Sequence, residues 1–184
     1  PDIIINRNTT WSQDKYLTES VIIKPNGSLS IDPGVNIYIK NDADISKNEL
    51  ISFLVLGSFS VLGTIDNPVY IGPKLNSNNK SYWSGIKFDS TQVESNISFL
   101  TISNAHNGLD IRSSVNISNS VVQLSGNHGV YVKSASTDSI LFQNVRITKC
   151  DDVSFFIDRG NVEINWIDIN KGKSVGLVNN TFGT

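Results

Sequence analysis

The chain has 184 residues and a mass of 20.2 kDa, with 15 Lys and Arg against 17 Asp and Glu, a net charge of −2 and an isoelectric point near 5.6. That balance suits one domain and excludes a nucleic-acid binder or a polybasic membrane-surface module, both of which cluster Lys and Arg. Ile (23) and Val (16) outnumber Leu (12), Glu (4), Ala (3) and Met (0), so helix formers are scarce, β-branched residues abundant, and a helical bundle is excluded.

Hydrophobic residues make up 39% of the chain, enough for a core, and no apolar run approaches the roughly 20 residues that cross a bilayer, so no membrane insertion is expected. Cys150 is the single cysteine, which excludes an internal disulfide or a cysteine zinc site, and it reads as a small buried hydrophobe. Six Asn-x-Ser/Thr sequons (Asn8, Asn26, Asn79, Asn96, Asn116, Asn179) carry little weight in a chain this rich in Asn and Ser. The start at Pro1, without initiator Met or signal sequence, reads as a mature or trimmed chain.

In chain order, residues 1–20 read as an N-terminal cap, with Ile3-Ile4-Ile5 and Trp11 to Leu17 supplying apolar surface for a lid. Residues 21–95 read as irregular coils with loops. Val21 to Ile23, Leu29 and Ile31, then Val35, Ile37 and Ile39 alternate with period 2 around Pro25-Asn26-Gly27 and Asp32-Pro33-Gly34 turns. A second set runs through Phe53, Val55, Phe59, Val61, Ile65, Val69 and Ile71, with bends at Gly57 and Gly63, and a third opens at Trp83-Ser84-Gly85-Ile86. Two polar stretches, Asn41 to Glu49 and Gly72 to Tyr82, read as projecting loops.

From Asn96 onward, residues 96–184 fall into four regular units. Leu109, Val130, Val153 and Val175 open equivalent strands 21, 23 and 22 residues apart. A period of about 22 residues with short strands and no helix is that of one turn of a parallel β-solenoid. A leucine-rich repeat would need a Leu frame, and a β-sandwich would not keep one period. Phe99, Ile117, Phe142 and Ile164 are expected to stack inward about 4.8 Å apart, and Asn119, Asn144 and Asn165 to form a short inward asparagine ladder at sharp bends.

The strings NTTW, VIIKPNGSLSIDPGVNIYI, LGSFSVLGTIDNPVYI and WSGIKF resemble the opening module of right-handed parallel β-helix domains of the pectin-lyase-like superfamily. The resemblance covers nearly the whole chain and implies an all-β, single-stranded right-handed parallel β-helix, a β-solenoid of about seven coils of roughly 22 residues. It also implies an extracellular or cell-surface, secreted setting. Because that superfamily hosts lyases, hydrolases, adhesins and inert stalks, it leaves function open.

Enzymes of that superfamily act on acidic polysaccharides with paired carboxylates, or with an Arg base beside calcium-binding acids. Gly126-Asn127-His128-Gly129, Val145-Arg146-Ile147-Thr148-Lys149 and Asp151-Asp152 are similar to polygalacturonase motifs, which makes Asp151, Asp152, His128 and Arg146 the candidate catalytic set. Their order differs, since the aspartates come first in those enzymes and last here. A lyase would need several acids clustered over adjacent coils, whereas the acids near Arg112, Arg146 and Arg159 (Asp110, Asp151, Asp152, Asp158) are interleaved as solvated pairs. His106 and His128 fall 22 residues apart, on adjacent coils, but lack a third metal ligand. Trp83 reads mainly as core after the preceding loop, with a sugar-stacking platform formed with Tyr82 as the alternative, the candidate ligand-binding pair. Ten scattered Thr argue against an ice-binding face.

The expected function is therefore a non-catalytic extracellular or cell-surface module serving as rigid stalk, adhesion or carbohydrate-binding domain, with an enzyme acting on acidic polysaccharides as the alternative. No cofactor or metal is expected. The expected partners are a polysaccharide or another surface protein, with an end-to-end contact at the C-terminal coil. Val178 to Thr184 read as one strand of an uncovered coil, so the chain is expected to form part of a longer protein.

Overall fold

The computed structural model describes residues 1–40, 50–89, 93–170, 172 and 177–179. Short runs in which β-branched residues alternate with polar ones become strands. The first six are β1 (Ile3–Ile5), β2 (Asn8–Trp11), β3 (Lys15–Leu17), β4 (Val21–Ile23), β5 (Ser28–Ile31) and β6 (Asn36–Ile39). There follow β7 (Ser52–Val55), β8 (Ser58–Leu62), β9 (Val69–Pro73), β10 (Gly85–Phe88), β11 (Ser95–Ser98), β12 (Leu100–Ser103) and β13 (Leu109–Ile111). The last are β14 (Val115–Gln123), β15 (Val130–Lys133), β16 (Ile140–Thr148), β17 (Phe155–Arg159), β18 (Val162–Asn170) and β19 (Leu177–Asn179). Among the described residues no helix is long and apolar enough to cross a membrane.

The strands form two large sheets in which every pairing is parallel. One has eight strands in the order β1-β4-β7-β10-β13-β15-β17-β19. The other has eleven: β2-β5-β8-β11 and β3-β6-β9-β12 make two arms that join at β14, and β16 and β18 continue from there. The join has a local cause. Nine-residue β14 pairs its first half with β11 and its second half with β12. Between the halves sits Asn119 at φ 48°, in line with Phe99 (48°), Asn144 (55°) and Trp166 (89°). A left-handed residue at that place turns each long strand without breaking its ladder.

This arrangement corrects the expected single-stranded β-helix of about seven coils. The strands resolve into two extended parallel sheets of eight and eleven members, and the repeat is less even than the sequence spacing suggests, since Val21 pairs with Phe53 whereas Leu109 pairs with Val130. A recurrent apolar residue records the stacking interval of a parallel ladder, but it does not say how many sheets share each turn of chain. Residues 3–17, expected as a lid, supply the first strands of both sheets.

Three register details differ as well. Val130 pairs with Phe155 instead of Val153, and Phe155 pairs with Leu177; Val175 lies outside the described residues. Ile97, not Phe99, stacks on Ile117, Phe142 and Ile164, because Phe99 occupies the left-handed bend. Asn144 Nδ2 does donate to Asn119 Oδ1 at 2.7 Å, but this ladder is on the outside, and its next member is Trp166, while Asn165 bonds Glu163.

Alternation places one continuous core between the sheets. Phe53 of the eight-stranded sheet touches Phe59 and Trp11 of the other, at 6.0 and 6.4 Å between ring centroids, and Phe142 meets Phe155 edge-on at 5.0 Å. Turns approach one another closely: a Cβ on Gly57 would sit 2.2 Å from the Gly27 carbonyl oxygen, so that bend admits only glycine. Of the turn and bend glycines Gly27, Gly34, Gly57 and Gly63, Gly34 alone has positive φ, 78°. The expected loop at 72–82 is shorter, since Gly72 and Pro73 belong to β9, and the 41–49 loop lies outside the described residues.

Candidate functional site

The outward face of the eleven-stranded sheet carries a row of tyrosines. Lys-Tyr-Leu, Asn-Ile-Tyr-Ile and Val-Tyr-Ile put apolar neighbours into the core, which turns Tyr16, Tyr38 and Tyr70 to the outside. Tyr16 and Tyr38 are directly paired, with ring centroids 5.2 Å apart and planes tilted by 35°. Tyr38 stands opposite Gly72, and the Tyr70 ring leans into the space a Cβ there would fill, 6.3 Å from Tyr38.

Lys74 crowns the row. Its Nζ donates to the Tyr16 hydroxyl at 2.9 Å and lies 4.9 Å from the Tyr16 centroid and 5.6 Å from that of Tyr38. The bond to Tyr16 pushes the ammonium's pKa up. The Tyr70 hydroxyl donates to the Pro73 carbonyl at 2.9 Å, and burial pushes its pKa up against the opposing effect of a hydrogen bond with Ser103. Tyr16 remains 56% exposed. The result is a set of tilted aromatic faces edged with hydroxyls and one cation, fixed by strand pairing and not by loops.

The same face continues past the tyrosines. Thr101 pairs with Tyr70 on one side and Val121 on the other, followed by Arg146 and Asp168; beside them run Ser103, Gln123, Thr148 and Asn170. Thr101, Val121, Gln123, Arg146, Thr148, Lys149 and Asn170 line a shallow cleft of about 490 Å³. Arg146 Nε donates to Asp168 Oδ2 at 2.8 Å, and Thr148 donates to Asn170 at 2.8 Å. A strap, residues 74–82, flanks this row. Asn104 Nδ2 donates to the Ser77 and Asn79 carbonyls, both at 2.9 Å, and Lys80 Nζ donates to the Lys149 carbonyl at 2.9 Å.

The candidate catalytic residues are drawn into separate pairs. Asp151 receives Lys80 Nζ at 2.7 Å, Arg146 holds Asp168, and His128 Nδ1 lies 3.7 Å from Asp152 Oδ2, beyond hydrogen-bond reach. His128 is stacked instead on Tyr131 and lies tilted against Phe156, with centroids 5.6 and 5.5 Å away. His106 Nδ1 shares a hydrogen bond with Ser81 Oγ at 3.0 Å, so the two histidines are engaged by different neighbours. Trp83 is fully buried against Phe53, its indole N–H donating to the Ser103 carbonyl at 2.9 Å, which leaves no face for a sugar; Tyr82 is half-buried at the core margin. Arg112 grips Asp110 through two bonds of 3.0 and 3.1 Å, and Lys133 pairs with Asp158 at 3.0 Å. Among the described residues no group of three or more His, Cys, Asp or Glu side chains is placed to hold a metal.

Sequence reading did not single out the tyrosine row. The signal available was the recurrence of Tyr followed by an apolar residue in three strands, but the unequal distances between them hide it from a search for one period. No family model, curated protein or solved structure matches this chain.

Proposed function

We propose that this protein is a non-catalytic carbohydrate-binding module of an extracellular or cell-surface protein, with adhesion to a polysaccharide as its role. The observation that carries the reading is the outward Tyr16–Tyr38–Tyr70 row, exposed at Tyr16 and half-buried at Tyr38 and Tyr70, with Lys74 at its edge. Aromatic rings offer C–H-bearing sugar faces a flat apolar surface, while phenolic hydroxyls and an ammonium meet sugar oxygens, and a site built on paired strands loses little entropy on binding. The non-catalytic part rests on the separate surroundings of the candidate residues: Asp151 holds Lys80, Arg146 holds Asp168, and His128 stands 3.7 Å from Asp152, beyond hydrogen-bond reach.

The test is binding of the purified chain to a panel of immobilised neutral and acidic polysaccharides, with Tyr16→Ala and Tyr38→Ala beside it. The expected result is retention on at least one glycan that drops about tenfold or more in each variant, with unchanged circular dichroism. Retention unaffected by both substitutions, no retention on any glycan, or release of reducing ends from the bound polymer overturns the reading.

A further inference from the structure

We infer that the far edge of β18 is a docking site for an extended segment of another protein chain, which joins the eleven-stranded sheet as one more parallel strand.

The two ends of the core differ. At the first strands, Ile5, Trp11 and Leu17 are buried, and Lys15, paired with buried Ile37 on the core side of β3, carries its ammonium 5.8 Å from the centroid of the Trp11 ring. An inward charge on an edge strand discourages the addition of a further strand. At the other end, the core-side residues of β18 are Val162, Ile164, Ile167 and Ile169, none of them charged, and they lie in line with buried Ile140, Phe142, Val145 and Ile147. Ile164 is 40% exposed although Phe142 beside it is fully buried, and Trp166, held left-handed at the bend, is 57% exposed. β19 carries the eight-stranded sheet one strand past β17, whereas among the described residues β18 pairs with β16 alone. One edge of a nine-residue strand is therefore open beside uncovered core residues.

The occupant follows from what is open. A row of backbone N–H and C=O groups at strand spacing is matched by another extended backbone, and exposed Trp and Ile side chains give it anchors. Every pairing in both sheets is parallel, which sets its direction. The ladder sets its pattern. The lines Val115–Ile140–Val162, Ile117–Phe142–Ile164, Val145–Ile167 and Val122–Ile147–Ile169 ask for apolar residues at the first, third, sixth and eighth places of nine. The column Asn119–Asn144–Trp166 asks for Asn or Gly at the fifth, where the backbone turns left-handed. Glu163 is exposed and accepts a bond from Asn165 through one oxygen, so its other oxygen favours a basic residue at the second place.

The sequence of β16 already satisfies the apolar and Asn places, and β18 accepts it on its near side. The probe is accordingly an acetylated, fluorescent nonapeptide with the β16 sequence and Lys as its second residue, titrated with the intact chain and followed by anisotropy. Saturable binding is expected, weakened about tenfold or more by Ile164→Lys with unchanged circular dichroism. Ile140 N–H donates to the Asn161 carbonyl, so the N–H groups of Leu141 and Gln143 point the other way. In a copy of that strand on the far side of β18, the second and fourth N–H groups face β18. N-methylation at those two residues is expected to abolish binding, and N-methylation at the first and third to leave it.

No saturable binding, or binding unchanged in Ile164→Lys, overturns the site. Equal binding of the two N-methylated peptides, or of a peptide whose apolar residues are displaced by one place, overturns strand pairing. A chain that is dimeric by itself in light scattering and monomeric as Ile164→Lys gives the edge to a second copy and overturns the partner strand.

Discussion

Lys80 Nζ stands 2.7 Å from Asp151 Oδ1, closing a contact between residues 71 apart in sequence and tying the 74–82 strap to the turn that follows β16. The same ammonium donates to the Lys149 carbonyl, so one side chain fixes two points of that turn.

Lys80→Ala is therefore expected to lower stability, but modestly. Both partners are about a quarter to a third exposed, so the pair is screened, and about 1 kcal/mol or less is expected in urea denaturation, shrinking further in 1 M salt. A loss several times larger, or one that salt does not reduce, would show that the strap is held mainly by apolar contact.

Trp83 offers a sharper contrast between burial and polarity. It is the largest fully buried side chain, and its indole N–H is satisfied by the Ser103 carbonyl. Trp83→Phe keeps most of the apolar contact and leaves that carbonyl with one partner fewer, for an expected cost of about 1–2 kcal/mol, whereas Trp83→Ala opens a cavity and costs about 3–5 kcal/mol. Equal losses in the two variants would mean that the hydrogen bond, not the volume, dominates.

The left-handed column at Phe99, Asn119, Asn144 and Trp166 predicts an inverted glycine effect. Asn144→Ala both strains the bend and removes the bond to Asn119, with an expected cost of about 1–2 kcal/mol; Asn144→Gly loses the bond but relieves the backbone, and is expected to cost clearly less. Denaturant midpoints that rank the glycine variant below the alanine variant would remove backbone conformation as the reason for asparagine there.

These cases show what the sequence could and could not tell. Alternation in Ser28–Ile31 and Asn36–Ile39 is enough to assign strands and their buried faces, because period 2 directly encodes which side faces the core. Pairing Leu109 with Val130 was also legible. The spacing points to Val153 where Phe155 pairs, because a slip of two residues keeps every apolar side chain on the same face, so the hydrophobic pattern cannot detect it. The bend column was legible only where Asn occupies it, and Trp166 and Phe99 disguise the other two places. The tyrosines were missed for the complementary reason: they occupy outward positions, where the pattern asks only that a residue not be needed in the core. The joining of the two arms of the eleven-stranded sheet depends on how Asn119 and Asn144 bend long strands, which no local propensity announces.

Alkaline pH should expose two buried protons. Cys150 is fully buried, and burial pushes its thiol pKa up; Tyr70 is raised by the same cause. In both groups the protonated form is neutral and the native state holds its proton more tightly than the unfolded chain does. Their contribution to stability is thus complete below the unfolded pKa values, about 8.5 for Cys and about 10 for Tyr, and is lost as pH rises through the higher native values. Denaturant midpoints are expected to hold steady from pH 7 to 8, to begin falling near pH 8.5–9, and to fall faster above about pH 10. Cys150→Ala is expected to cost about 1 kcal/mol at pH 7 through the small cavity it leaves, yet to flatten the first part of the decline. Tyr70→Phe should flatten the second part while losing the bond to the Pro73 carbonyl. Wild-type and Cys150→Ala curves that stay parallel from pH 8 to 10 would show that the thiol ionises as readily in the native state as in the unfolded chain.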